Sequence, residues 1–234
     1  MNLQERYEQD YAEVSQFSVV SFMNRVYAWM TLGLAVTGVT AWGISRFAPT
    51  AFASKGALIV LLIAILAVVW GLSATASRLP APLAIAGFLF YALLEGAFFS
   101  VIFLVYPIAL ISMTFFVTAG VFGTMAIFGT LTKKDLSGVG SLCLMGLWGI
   151  ILVFIGQFIF RLFGAETRML DIPISIFGII VFLGLTAWDA QKIKRLSLAG
   201  ETSTGLAICG ALALYLDFIN LFLFLLRLFA ASRD

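Results

Sequence analysis

Residues 57–76 of the chain read ALIVLLIAILAVVWGLSATA, with no charged side chain among them. A helix needs about 20 mainly apolar residues to cross the hydrocarbon core of a bilayer. Six other stretches qualify as well, which gives seven predicted spans: residues 26–44, 57–76, 81–105, 108–131, 139–160, 172–190 and 206–228. All five prolines fall at or near the predicted ends, where a missing backbone N–H does least harm. The sequence therefore predicts an all-α integral membrane protein, a bundle of seven transmembrane helices.

The composition excludes most other classes of protein. Of the 234 residues, 62% are hydrophobic and only 11% are charged, whereas soluble domains average about 25% charged residues. The 23 phenylalanines exclude intrinsic disorder. The lack of histidine removes serine hydrolases of the Ser–His type and His-ligated zinc sites. With a net charge of +2 and no basic cluster, the expected partner is the lipid bilayer and not a nucleic acid.

The chain is predicted to consist of a polar N-terminal tail, residues 1–25, and a single transmembrane domain, residues 26–230. Lys and Arg accumulate in the cytoplasmic flanks of membrane helices. If the N-terminus is cytoplasmic, eight of the 14 Lys and Arg residues lie inside: Arg6, Arg25, Arg78, Lys133, Lys134, Lys192, Lys194 and Arg195. We therefore predict a cytoplasmic N-terminus and a C-terminus outside.

Three acidic residues, Glu95, Asp189 and Asp217, fall inside predicted spans, whereas no Lys or Arg falls in the middle of one. An ionisable group at that depth costs about 2.5–3.5 kcal/mol and usually faces a cavity or a partner. At 1.5 Å per residue, Asp189 lies about 9 Å from a helix end at Arg195, and Asp217 lies about 16 Å into the last span. The two helices run in opposite directions, so their carboxyl groups are expected at similar depth. The alternative for Asp189 is an interfacial position beside Lys192.

Two neighbouring carboxyl groups in a low dielectric cannot both ionise easily, so Asp189 and Asp217 are expected to hold one proton near neutral pH. Their oxygens are also hard ligands suited to Ca²⁺, with Asn220 as an extra donor. Protons and calcium would then compete for one site, and no cofactor is expected. Thr186 shares a helix face with Asp189, and Glu95 could approach the same cavity.

Two segments make the sequence specific: GLTAWDAQKIK at 184–194 and ALYLDFINLFLFLLRLF at 213–229. Both resemble the Bax inhibitor-1 family, also called transmembrane Bax inhibitor motif proteins, and its bacterial branch most. Matching stretches cover nearly the whole chain beyond about residue 20: VYAWMTLGL at 26–34, YALLEGAFFS at 91–100 and FGTLTKKDLSG at 128–138.

The resemblance implies a seven-helix fold with a central last helix, located in the bacterial inner membrane. It also implies a pH-sensitive calcium leak gated by a pair of aspartates, which match Asp189 and Asp217. The family has a basic residue near the end of the second helix that is proposed to latch the gate, and Arg78 is the candidate for it. Some bacterial relatives are linked instead to a membrane protease that they modulate by binding.

The leading interpretation is therefore a calcium leak channel controlled by the proton state of Asp189 and Asp217. A regulator that binds other membrane proteins through the tail, residues 1–25, is an alternative, and so is a proton-coupled transporter that uses the acids as a relay. An enzyme is not expected. Intramembrane aspartate proteases of the presenilin type use YD and GxGD, whereas the acids here occur in Trp188-Asp189 and Leu216-Asp217.

Overall fold

The structure is a computed structural model that describes residues 3–52, 54–163 and 168–232. Eight α-helices and one short 3-10 helix occur within these ranges: α1 (Leu3–Phe47), α2 (Lys55–Thr75), α3 (Ala81–Phe99), α4 (Ile102–Val105), α5 (Ile108–Leu131), α6 (Ser137–Leu162), the 3-10 helix Arg168–Leu170, α7 (Asp171–Leu198) and α8 (Thr204–Ala231). In this part of the chain, seven helical stretches are long and apolar enough to cross a membrane. The prediction of an all-α membrane protein with seven spans is confirmed.

Prolines determine where the third and fourth spans begin. Pro80 precedes α3, and Pro107 precedes α5, because proline suits the start of a helix, where its missing N–H would be unpaired anyway. The third span consists of α3 and α4, which a turn at Ser100 separates. The hydroxyl of Ser100 donates to the carbonyl oxygen of Ala97 at 2.7 Å. The predicted span 81–105 is thus one crossing with a local interruption.

The first helix begins well before the predicted span. α1 starts at Leu3, and its apolar part runs over Ser18–Phe47 instead of beginning at residue 26. Val19, Phe22, Met23 and Val26 are buried, and their spacing of three and four residues forms one face of a helix. A search for unbroken apolar runs misses this stripe because polar residues separate its members.

By packing, the helices form two compact units. The first contains the described residues up to Val105 together with Lys192–Tyr215, and the second contains Tyr106–Gln191 together with the described residues from Leu216 onward. In the first unit, α3 packs against α1 and α2. In the second, the rings of Phe115 and Phe122 pack edge-on against Phe218 at 5.5 and 5.4 Å between centroids.

The last helix is the most buried of the seven spans. Of its apolar window, 72% is buried, against 11–44% for the windows of the other six. A helix surrounded by protein instead of lipid can carry polar groups that lipid would penalise. This burial agrees with the central last helix that the sequence predicts.

Candidate functional site

Asp217 is a buried acid at the middle of α8. Its side chain is only 4% exposed, and its carboxyl group interacts with that of Asp189 on α7 through charge and a side-chain hydrogen bond. Asp189 itself is half-buried. Within the part of the chain that the structure describes, the Oδ2 atom of Asp217 is buried without a hydrogen-bond partner. A proton or a passing cation would satisfy such an oxygen.

The ligand set around these two acids is small. Among the described residues, no group of three or more His, Cys, Asp or Glu side chains could hold a metal ion. Ca²⁺ takes 6–8 oxygen ligands, so two carboxyl groups are few for a tightly held ion. Calcium binding by Asp189 and Asp217 stays a prediction.

Three glycines let neighbouring helices approach α7 closely around Asp189. A methyl group at Gly129 of α5 would overlap the backbone of Ala187, and one at Gly140 of α6 would overlap the ring of Trp188. One at Gly184 of α7 would overlap the sulfur of Cys143 on α6. The segment of α7 that carries Asp189 therefore packs closely against α5 and α6.

Neither cysteine forms a disulfide. Cys143 is buried and Cys209 is half-buried, and both are free thiols. Free thiols of this kind pack as small apolar side chains.

Gln191, two residues after Asp189, ties α7 to the loop between α5 and α6. Its amide nitrogen donates to the carbonyl oxygen of Lys134 at 2.8 Å, and its amide oxygen accepts from the backbone N–H of Leu136 at 2.9 Å. Gln191 is not among the site residues predicted from the sequence. In the sequence, Gln191 could have been noticed as a neutral amide within a segment made mainly of apolar and charged residues.

Thr186 and Asn220 use their hydrogen bonds within their own helices. The hydroxyl of Thr186 donates to the carbonyl oxygen of Phe182 at 2.7 Å, and the amide of Asn220 donates to that of Leu216 at 2.8 Å. These bonds do not involve either aspartate. Supporting roles for Thr186 and Asn220 at the site stay predictions.

Glu95 belongs to a hydrogen-bonded group in the first unit. It is 7% exposed, and its carboxylate accepts a hydrogen bond from the hydroxyl of Tyr91 at 2.6 Å. The ring of Tyr91 packs edge-on against Tyr215 at 5.8 Å. The Tyr215 hydroxyl lies 2.6 Å from that of Thr37. Because Thr37 donates to the carbonyl oxygen of Ala92 at 3.0 Å, Tyr215 is the donor in this bond.

Sequence reasoning missed Tyr91, the partner of Glu95, and the neighbouring pair Thr37 and Tyr215. Tyr91 precedes Glu95 by four residues, and the two therefore share one face of α3. That spacing was the available signal for the tyrosine. Thr37 and Tyr215 come from other helices, and nothing in the local sequence points to them.

Arg78 lies in the turn between α2 and α3 and is exposed. Its backbone N–H donates to the carbonyl oxygen of Thr75 at 2.8 Å. It belongs to the first unit, whereas Asp189 and Asp217 belong to the second. Its role as a latch stays a prediction.

A further charged group, at the start of α7, was not predicted. Arg227 of α8 lies 4.0 Å from the carboxylate of Asp171, and its guanidinium lies 5.0 Å above the ring centroid of Phe154 on α6. Arg227 is not among the site residues predicted from the sequence. In the sequence, Arg227 is visible as a cation ten residues after Asp217 on the same predicted helix.

The sequence is similar to known proteins along almost its whole length. The family model described as "Inhibitor of apoptosis-promoting Bax1" matches residues 19–234. An inner membrane protein of Escherichia coli strain K12, YbhL, is 42% identical over 221 residues, which cover 91% of this chain and 92% of YbhL. An uncharacterized protein of Deinococcus radiodurans is 40% identical, with 92% of each chain covered. A protein of Lactococcus lactis, YrjE, is 36% identical over 91% of each chain. Together with the seven spans, these matches establish that the chain belongs to the Bax inhibitor-1 family.

Proposed function

We propose that this protein is a pH-sensitive calcium leak channel of the bacterial inner membrane, and that the proton state of Asp189 and Asp217 controls the passage of calcium. The observation that carries the proposal is the buried carboxyl group of Asp217 in contact with Asp189. The inner-membrane location is taken from the relative YbhL, an inner membrane protein of Escherichia coli. The role assigned is transport, without catalysis.

The physical argument rests on the difference between two protonation states. With one proton between them, the two carboxyl groups hydrogen-bond and hold α7 to α8. With none, the two carboxylates carry like charges and repel each other. A divalent cation would remove that repulsion. The contact between α7 and α8 therefore depends on protons and on calcium, which is what a gate requires.

One other titratable group needs to be considered at this site. The thiol of Cys143 on α6 is close enough to Asp217 for their charges to interact. A pH response of the protein could therefore originate from the thiol instead of the aspartates. Replacing Cys143 with Ser leaves the carboxyl groups in place and separates the two sources.

The test measures calcium flux into vesicles that contain the purified protein, over a range of pH. The variant Asp189→Asn/Asp217→Asn keeps the size of both side chains and removes both ionisable groups. We expect the flux of this variant to lose its dependence on pH. The matched control is Glu201→Gln, because Glu201 is an exposed acid in the loop between α7 and α8 and its loss should leave the pH profile of the wild-type protein.

The same assay separates the alternatives. A regulator that binds other membrane proteins through its tail would show no calcium flux in vesicles that lack the partner. A proton-coupled transporter would show flux that requires a proton gradient, whereas a leak needs only the calcium gradient. An unchanged pH profile in the double variant would exclude the aspartates as the pH-sensing group.

A further inference from the structure

The end of α5, the start of α6 and the loop between them, residues 132–136, all pack against one short part of α7. Gly129 of α5 lies against the backbone of Ala187, and Gly140 of α6 lies against the ring of Trp188. These parts of the chain belong to the second unit. The next residue along α7 is the first acid of the proposed gate, so this contact lies beside it.

The loop has hydrogen bonds of its own that hold its shape. The Oδ1 atom of Asp135 accepts hydrogen bonds from the backbone N–H and the hydroxyl of Ser137, at 3.0 and 2.7 Å. The hydroxyl of Thr132 accepts one from the backbone N–H of Lys134 at 3.3 Å. Side chains of these types commonly bond to the backbone two residues on and so stabilise a turn. The loop is therefore a preformed extension of the start of α6.

Gln191 attaches this preformed loop to α7. Its side chain is only 5% exposed. Its amide nitrogen donates to the carbonyl oxygen of Lys134 at 2.8 Å, and its amide oxygen accepts from the backbone N–H of Leu136 at 2.9 Å. A primary amide carries a donor and an acceptor side by side, whereas a lysine or an ionised carboxylate carries one kind alone. Two bonds from one planar group fix both the distance and the direction of the attachment.

This attachment is linked to the acids through rigid helices. Gln191 and Asp189 lie two residues apart in the same continuous helix, so a rotation or shift of α7 that displaces Asp189 also displaces Gln191. On α6, the sulfur of Cys143 lies against Gly184 of α7, and the thiol is close enough to Asp217 for their charges to interact. Movement of α7 relative to α6 would therefore break the bonds of Gln191 and uncover this thiol.

We propose that Gln191 is a positioning residue, which fixes Asp189 in place by holding the loop between α5 and α6 on α7. The proposal rests on the proposed role of Asp189 in the gate. An amide does not ionise, so this attachment does not itself respond to pH and leaves the response to the acids. Loss of the amide should loosen the contact between α6 and α7 while both carboxyl groups are still present.

The test measures how fast dithiodipyridine modifies Cys143 in the full-length protein in detergent, well below the unfolding temperature. Replacing Cys209 with Ser in every sample leaves Cys143 as the one thiol, because the chain has two cysteines. Gln191→Met keeps the length of the side chain and removes both hydrogen bonds. It should speed the modification about fivefold or more, the factor that one lost hydrogen bond typically gives in a local opening equilibrium.

Two further variants separate positioning from a general loss of stability. At about pH 5 a buried glutamate is largely protonated, so Gln191→Glu can donate and accept as the amide does. It should then be modified as slowly as the protein with Gln191, whereas Gln191→Met should be faster at the same pH. Tyr91→Phe removes a buried hydrogen bond in the first unit and should leave the rate unchanged.

An unchanged rate in Gln191→Met would overturn the proposal. So would an acceleration in Tyr91→Phe, or in protonated Gln191→Glu, that equals the one in Gln191→Met. Folding is checked by elution volume and unfolding temperature. If Gln191→Met does not fold, Gln191→Leu takes its place with the same expected acceleration.

Calcium flux of the same variants separates this proposal from the proposed function. Wild-type vesicles without pH-dependent flux would refute the proposed function, whereas the modification rates decide how Gln191 holds α7 without any calcium. If the flux of the wild-type protein depends on pH, Gln191→Met should shift that dependence, because Asp189 is no longer held in place. An unshifted profile would contradict the positioning role of Gln191.

Discussion

Asp217 and Glu95 are both buried acids in membrane spans, yet their surroundings differ. Asp217 interacts with a second carboxyl group, whereas Glu95 accepts a hydrogen bond from a tyrosine. Two carboxyl groups can be bridged by a proton or a cation, and their interaction changes sign when the proton leaves. The interaction of a carboxylate with a neutral hydroxyl does not change from attraction to repulsion in this way. We therefore propose Asp189 and Asp217 as the switch, and the supporting role predicted for Glu95 at the site stays a prediction.

The hydrogen bond from Tyr91 to Glu95 should contribute to stability. Tyr91→Phe removes the donor and leaves a buried carboxylate without that bond. Hydrogen bonds in membrane proteins are worth about 0.6–2 kcal/mol, so the variant should unfold at a lower temperature in detergent. Glu95→Gln is the control, because its amide oxygen can still accept from Tyr91. A larger loss of stability in Glu95→Gln than in Tyr91→Phe would contradict this account of the bond.

At the residue level, the sequence locates the buried acids but not their partners. Glu95, Asp189 and Asp217 can be recognised because charge is rare inside apolar runs. The contacts of Gln191 with the loop at Lys134 join residues far apart in the chain. No spacing rule within one helix predicts such contacts. The sequence therefore predicts which buried groups can ionise, whereas only the structure shows the hydrogen bonds between distant residues.

At the level of elements, the close approach of α5 to α7 depends on Gly129. A methyl group at this position would overlap the backbone of Ala187, and backbone cannot move aside as a flexible side chain can. We expect Gly129→Ala to destabilise the protein by about 1–3 kcal/mol, as overpacking usually does. The measurement is the unfolding temperature of the purified protein.

Gly123, on the same helix, is the matched control for this substitution. A methyl group there would meet no atom within 4 Å. Gly123→Ala should be neutral, or should stabilise the helix by up to about 1 kcal/mol through its higher propensity. Equal destabilisation by the two alanine substitutions would show that close packing at Gly129 is not the cause.

Apolar runs in the sequence predict some helix boundaries correctly and others not. The predicted span 108–131 coincides with α5 (Ile108–Leu131), because a proline precedes it and a charged loop follows. The predicted span 172–190 ends early, since α7 continues to Leu198 through Lys192, Lys194 and Arg195. Lysine and arginine are good helix formers. They end an apolar run without ending the helix. In α1, polar residues likewise interrupt the apolar run before residue 26 although the helix already begins at Leu3.

At the level of the whole molecule, the seven candidate spans of the described residues predict that the two termini lie on opposite sides of the membrane. The distribution of Lys and Arg predicts the N-terminus inside and the C-terminus outside. A C-terminal alkaline phosphatase fusion should therefore be active in bacterial cells, and a C-terminal green fluorescent protein fusion should be dark. An inactive phosphatase fusion together with a fluorescent protein fusion that is bright would show that the C-terminus lies inside, which contradicts the prediction. The same two reporters placed in the loop between α5 and α6 serve as the internal control.

The central claim is that Asp189 and Asp217 act together, through one proton, on the passage of calcium. The most direct measurement compares the pH dependence of calcium flux in Asp189→Asn, Asp217→Asn and the double variant, all in the same vesicles. If the two acids share a proton, each single variant should lose the pH dependence, and the double variant should lose nothing further. Single variants that each keep part of the dependence, with losses that add in the double variant, would contradict the claim.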